Sequence, residues 1–229
     1  MQERIFKPIP QPLPLAEMAF QVIRDSILEG HLEPGKIYNE IAIAKELGIS
    51  RTPVREALLK LATHGLITYL PRKGITVNDF TERDLEEIIE LRKAIELAAI
   101  EKITMAPDSC DFSEAEKALK NQKTALKKKD IRTFLLFDRH FHLTLIKLTR
   151  NRRFVEIMEN VRDVLQLIAQ KILTDEQGLQ ETILEHEAIL NAAKQGDTEN
   201  ARKAVRYHLD LSKKMLLEKM GMERKKWES

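Results

Sequence analysis

The chain has 229 residues, with 38 Lys+Arg against 36 Asp+Glu and a formal charge of +2, so its total charge gives no licence for nucleic-acid or membrane binding. No stretch approaches the ~18 consecutive apolar residues that a membrane span requires. At 43% hydrophobic and 32% charged residues the composition fits a folded globular protein, and a single cysteine, Cys110, excludes an internal disulfide or a Cys-rich zinc module.

Seven of the eight prolines and five of the eight glycines precede residue 75, leaving four such breakers for the remaining 155 residues. That division predicts a turn-punctuated N-terminal unit followed by long uninterrupted helices. Residues 1–14 alternate proline with single apolar residues and lack the apolar core of a secretory signal, which reads as a loose arm on a cytoplasmic protein. Over 15–29, Leu15, Met18, Ala19, Val22, Ile23 and Ile27 recur at helical spacing up to Gly30. A turn at 32–35 leads to a second helix, capped by Asn39, carrying Ile41, Ala44 and Leu47 and ending at Gly48. Ser50 caps a third, with Thr52-Pro53 in its first turn and Val54, Ala57, Leu58 and Leu61 facing inward. The β-prone runs 66–70 and 75–77, joined by Pro71-Arg72-Lys73-Gly74, predict a hairpin with a basic tip. Residues 15–78 therefore carry the winged helix-turn-helix pattern. A linker at 79–83 follows, with Thr81 capping a helix over 82–105. Ser113 caps another to 127, Asp130 opens one to 148, and periodic segments cover 152–173, 175–195 and 197–220. The expected fold is mainly α, with an antiparallel six-helix bundle over 84–222 and a polar tail at 223–229.

Charge counted locally says what the total hides. Residues 51–73 hold Arg51, Arg55, Lys60, Arg72 and Lys73 against the single acid Glu56, whereas residues 1–50 hold five basic and seven acidic side chains. Arg51 and Arg55 lie four apart at the start of the third helix, where the helix dipole also favours an anion. Such a helix enters a DNA major groove with its first turns against base edges, and Arg donates two hydrogen bonds to guanine. Ser50 and Thr52 suit phosphate oxygens; Arg72, Lys73 and Gly74 suit a DNA backbone or minor groove. Any one of these is more commonly a solvated surface residue, but the set, joined to the helix-turn-helix punctuation, points to double-stranded DNA. Only 5% of residues are aromatic, which argues against single-strand or RNA binding on stacked rings.

The segment 32–35, the run 39–58 and Leu61, Gly65 and Leu66 resemble the DNA-binding domain of GntR-family bacterial transcription regulators. The string Ser50-Arg51-Thr52-Pro53-Val54-Arg55-Glu56-Ala57-Leu58 is its most specific part. The resemblance implies that Arg51, Arg55 and the wing at 72–74 contact operator DNA. Some members carry another DNA-contacting arginine in the second helix, where this chain has Ile41.

Three of six histidines sit where a purely structural bundle would prefer leucine. Asp138 and His142, four apart, share a face with Ile131, Leu135 and Leu145; His186 lies among Ile183, Ile189 and Leu190; His208 lies among Ala201, Val205, Leu211 and Met215. Burying such groups unpaired is costly, so they should find one another or a shared ion. One carboxylate and three imidazoles suit a divalent transition metal such as Zn, Ni or Mn, with positions left for water or ligand. Taken singly, each histidine is more commonly a hydrogen-bonded core residue. A di-iron site would need acids at Arg139, Ile183 and Val205, and no His-Glu-x-x-His occurs.

These segments resemble the FCD effector domain of the FadR branch: Glu90-Leu91-Arg92 with Glu96, the run 137–142, Asn151, the run 185–189, Gly196-Asp197 and His208-Leu209. Six helices look like the VanR-type subgroup. The resemblance implies metal ligation by Asp138, His142, His186 and His208, and a small organic acid beside the metal, helped by Arg92. The plainer role for Arg92 is a salt bridge with Glu96 or Glu87. The resulting expectation is a ligand-responsive transcription regulator, a repressor acting as a homodimer on operator DNA. Two rivals remain at this point: a metal-dependent hydrolase fused to a DNA-binding head, and a constitutive DNA-binding protein with structural histidines.

Overall fold

The computed structural model describes residues 13–70, 72–173, 176 and 178–228, the side chains of 222–228 excepted. Most of the expected arm at 1–14 and Pro71 of the wing lie outside the described residues. The chain divides into two compact units, residues 1–78 and 79–229.

In the first unit the order is α1 (Leu15–Leu28), β1 (Ile37–Tyr38), α2 (Glu40–Glu46), α3 (Arg51–Thr63), β2 (Ile67–Leu70) and β3 (Gly74–Val77). α1 packs on α3, and Phe20, Ile23 and Ile27 join Val54, Leu58 and Leu61 in a core that excludes water. Each such large apolar side chain contributes about 1.5–3 kcal/mol by its burial. Asn39 caps α2 as expected, its Oδ1 accepting from the Ile41 N–H at 2.8 Å. Ser50 occupies the N-cap position of α3 but makes no capping hydrogen bond through its side chain, which leaves its hydroxyl available for another partner.

The sheet has three antiparallel strands in the order β1-β3-β2, one more than the expected hairpin. β1 is two residues long, too short to show alternation, and it pairs Ile37 with Thr76 and Tyr38 with Ile75. This added strand explains Gly74. Its φ of 132° is open to glycine, and a Cβ there would stand 2.1 Å from the Tyr38 carbonyl oxygen. Gly74→Ala is expected to cost the head about 3 kcal/mol from strain and backbone displacement. Amide hydrogen exchange of the full chain checks this: protection across Ile67–Leu70 and Gly74–Val77 should fall in the variant.

In the second unit the described residues form six α-helices: α4 (Glu82–Thr104), α5 (Ser113–Lys127), α6 (Ile131–Leu148), α7 (Arg152–Ile172), α8 (Leu179–Lys194) and α9 (Thr198–Glu228). The start of α4 is fixed by a capping box, in which the Thr81 side chain accepts from the Asp84 N–H and Asp84 accepts from the Thr81 N–H. The first two residues of α4, Glu82 and Arg83, thus lie within residues read as linker. Asp130 caps α6 through the Thr133 N–H, and Asn151 caps α7. Ser113 is not a cap: Phe112 holds the N-cap position, and Asp111 accepts from the Ser113 N–H instead. α8 begins at Leu179, after Gly178 at φ 85°, and later than its apolar periodicity suggests. Asp175, the expected start, lies outside the described residues. The backbone of α9 runs on through the expected tail, consistent with the high helix propensity of its Glu, Arg and Lys residues.

α5 pairs with α6 and α8 with α9, while α4 lies against α6, α7, α8 and α9. One apolar cluster joins Ile95, Ala99, Leu143, Ile146, Met158 and Val161. Among the described residues no helix is long and apolar enough to cross a membrane.

Candidate metal centre and nucleic-acid interface

The DNA-facing candidates follow from how α3 is buried. Its inward stripe of Val54, Ala57, Leu58 and Leu61 turns Arg51, Thr52 and Arg55 outward, and all three are exposed, while Pro53 is half-buried. Arg51 Nη2 lies 3.3 Å from Glu40 Oε1, a contact across α2 and α3 that orients the guanidinium without sequestering it. Arg72 and Lys73 are exposed at the wing, where the Lys73 N–H closes the turn on the Leu70 carbonyl at 3.0 Å. Arg72 takes a φ of 61°, a left-handed conformation that glycine fills more readily. Ile41 is 56% exposed at the start of α2, so that position offers apolar surface instead of a guanidinium.

The second unit gathers its polar groups at one buried point. His142 on α6, His186 on α8 and His208 on α9 are each at most 1% exposed, and one ring nitrogen from each lies within 4.8 Å of the other two. Their Nδ1 atoms point outward to acceptors. His142 Nδ1–H donates to Glu96 Oε2 at 2.9 Å, His186 Nδ1–H to Gln122 Oε1 at 2.9 Å, and His208 Nδ1–H to Glu185 Oε2 at 2.8 Å. That pattern fixes the tautomer, so all three Nε2 lone pairs converge. The Nε2 atoms of His142 and His186 face each other at 3.1 Å, an arrangement that calls for a cation between or beside them.

Electrostatics agree. Burial, followed by the Arg92 and Arg162 charges, holds His142 well below its ordinary value, and burial brings His186 down to about 4. His208 is lowered by burial and by the two neighbouring histidines. All three are therefore neutral at physiological pH, the form in which an imidazole can ligate a metal. Burial pushes Glu185 up to about 7, with help from Glu181.

Asp138 stands beside this cluster. Its Oδ1 is 3.6 Å from His186 Nε2 and accepts from Gln122 Nε2 at 3.3 Å, while its Oδ2 is taken by Arg162 Nη2. Burial opposes its charge, but Arg162, the nearby histidines and Arg92 hold the carboxyl well below the usual range. Arg92, 2% exposed, makes the plainer of its two expected contacts, the salt bridge with Glu96. Its Nε donates to Glu96 Oε1 at 2.5 Å, and its Nη2 reaches His142 Nε2 at 2.7 Å and His208 Nε2 at 3.3 Å. A guanidinium thus leans on the same lone pairs that a metal would use. Three neutral imidazole nitrogens, a carboxylate alongside, and an acceptor behind each ring form a donor set that fits a divalent transition metal. A cavity of about 40 Å³ is bordered by Arg92, Asp138, Arg162 and Gln166.

Several partners in this centre were not singled out from sequence. Gln122 sits in the α5 stripe Ala115, Ala118, Leu119, Gln122, Ala125, where it is the lone polar member and therefore detectable. Arg162 gave no such signal, because Val161, Arg162, Asp163, Val164, Leu165 and Gln166 are all buried and α7 shows no polar face there.

A winged head joined to an all-helical body with a polar buried centre defines a two-domain transcription regulator. Residues 15–77 match the family described as bacterial regulatory proteins, gntR family, and residues 87–211 match the FCD domain. The chain belongs to the GntR family, with a FadR-like FCD domain. It is 26% identical over 201 residues to the uncharacterized HTH-type transcriptional regulator YdhC of Bacillus subtilis, covering 87% of this chain and 90% of that one. A gluconate operon transcriptional repressor of Bacillus licheniformis is 28% identical over 193 residues, which span 82% of this chain and 79% of the relative. The solved structure of E. coli McbR/YncC shares the fold, with a TM-score of 0.81 at 23% identity over 91% of this chain and 100% of the other.

Proposed function

We propose that the protein is a homodimeric repressor whose operator affinity is set by a small carboxylate metabolite bound beside a divalent transition metal in the helical unit. His142, His186, His208 and Asp138 would hold the metal; the convergence of three neutral Nε2 atoms, each ring backed by its own acceptor, is the observation that carries this reading. A bound divalent ion supplies positive charge and open coordination positions for a carboxylate. Arg92 borders the adjoining cavity and adds its charge to that side.

In the head, Ser50, Arg51, Thr52, Pro53 and Arg55 would meet the major groove, and Arg72, Lys73 and Gly74 would carry the wing along the duplex. One recognition helix buries too little surface for high specificity, so a two-fold dimer on a pseudo-palindromic operator supplies the rest. Acid binding would shift the bundle between two packings and change the spacing of the paired heads.

Elemental analysis and mobility shifts on operator DNA test this together. About one ion per chain is expected, with operator affinity lowered at least tenfold by the cognate acid. Chelation should abolish the acid response and leave basal operator binding intact. Equal operator affinity at saturating acid would sink the sensor reading, and a metal-free protein with an intact response would reduce the histidines to structural groups.

A further inference from the structure

We infer that Arg162 is the anchor for the effector's carboxylate, and that the effector is a short aliphatic monocarboxylate and not a polyhydroxy or dicarboxylic acid. This rests on the reading of the bundle as an acid sensor and specifies its ligand.

Arg162 lies on α7 and is 3% exposed. Its Nη2 is committed to Asp138, but its Nε and Nη1 are buried without a hydrogen-bond partner. A guanidinium has no way to turn these donors into acceptors or to lose them, and buried N–H groups without acceptors disfavour the folded state. Burial and the nearby Arg92 lower its pKa only to about 10, so it stays cationic at neutral pH. Arg92, by contrast, commits its Nε and Nη2 to Glu96, His142 and His208. Of the two arginines on the cavity, Arg162 is the one with buried N–H groups left without a partner. A carboxylate is the acceptor that pairs best with a charged guanidinium N–H.

The rest of the cavity sets the class of acid. Both arginines stand at the end shared with Asp138, and the remaining wall includes Leu165, Ala169, Leu173, Leu179 and Leu216. Among the described residues, no basic side chain lines that wall to receive a second carboxylate. The uncharged polar side chains on the lining are Gln166, Thr182 and Ser212, and Thr182 already donates to the Gly178 carbonyl at 3.2 Å, so they are too few to satisfy a hydroxyl on every carbon. Burying those hydroxyls against leucine is costly. A volume of about 40 Å³ is room for only a few water-sized groups, which favours a short acid.

Titration calorimetry on the full-length, metal-loaded protein tests the inference, with propionate, butyrate, succinate and gluconate as probes. The wild type should bind propionate or butyrate at least tenfold more tightly than succinate or gluconate. Arg162→Lys keeps a cation beside Asp138 but removes the Nε and Nη1 donors from their positions, and should weaken butyrate at least tenfold in protein shown by elemental analysis to carry its metal. Ala169→Leu fills the apolar wall, and should weaken butyrate more than propionate. Unchanged butyrate affinity in Arg162→Lys, tighter binding of gluconate or succinate, or no heat with any acid would overturn the inference. If Arg162→Lys does not fold, Ala169→Leu decides: unaltered butyrate affinity then overturns it. Acid binding that leaves operator affinity unmoved would refute the sensor reading alone, which separates the two failures.

Discussion

Replacing His186 with alanine is expected to lower bound transition metal from about one ion per chain to nearly none, and to abolish the acid-dependent change in operator affinity. The imidazole contributes one of three converging Nε2 atoms and lies 3.6 Å from Asp138 Oδ1, so its loss leaves two nitrogens and a carboxylate already committed to Arg162. The affinity lost should exceed the roughly 10–100-fold typical of removing an outer partner of a ligand. Gln122→Leu supplies that comparison, since it removes only the acceptor behind His186 and should fall within the smaller range. Competition against a chromophoric chelator measures both. Because Phe141 stacks on His186 with ring centroids 4.4 Å apart, His186→Ala should also lower the melting temperature of the metal-free protein, and operator binding without acid controls for intact heads.

The second large effect is expected in the head. Arg51→Ala and Arg55→Ala should each weaken operator binding by about 1–3 kcal/mol, or roughly ten- to a hundredfold, and relax discrimination at the base each one reads. Both side chains are exposed and neither supports the core, so folding, oligomeric state and metal content should not change. Arg51→Ala removes a partner of Glu40 as well, which leaves an acid near the DNA and places this variant toward the larger loss. Arg72→Ala should behave differently, weakening binding to all sequences alike and reducing the salt dependence by about one counterion. Fluorescence anisotropy on operator and scrambled duplexes at several salt concentrations separates these cases, and an unchanged operator affinity for Arg51→Ala would remove that residue from the reading face.

Much of this arrangement is written in short-range pattern. The helices show because apolar residues recur at helical spacing between glycine and proline stops, and the three histidines and Asp138 show because they interrupt such stripes. What stays hidden depends on partners distant in sequence. β1 exists only because Ile37 and Tyr38 find Thr76 and Ile75. Ser113 has the residue type of a cap, yet Asp111 does that work two residues earlier. Arg162 and Asp163 look like a polar turn of α7, and only packing against neighbouring helices makes both of them buried. Arg92 illustrates the middle case: its partner four residues on is readable, whereas its reach to His142 and His208 is not.

The polar centre also bears on how the bundle assembles. Its histidines and their backing groups come from α4, α5, α6, α8 and α9, and they run from Glu96 to His208. No hairpin of adjacent helices holds all of them, so the centre has no local precursor and forms only after the most distant segments have closed on one another. During synthesis a chain that has reached α8 still lacks His208 and keeps His142 and His186 apart from their third partner. Completion of the three-histidine geometry therefore coincides with docking of the last helix, and the same residues that would report a metabolite also report that the fold is finished.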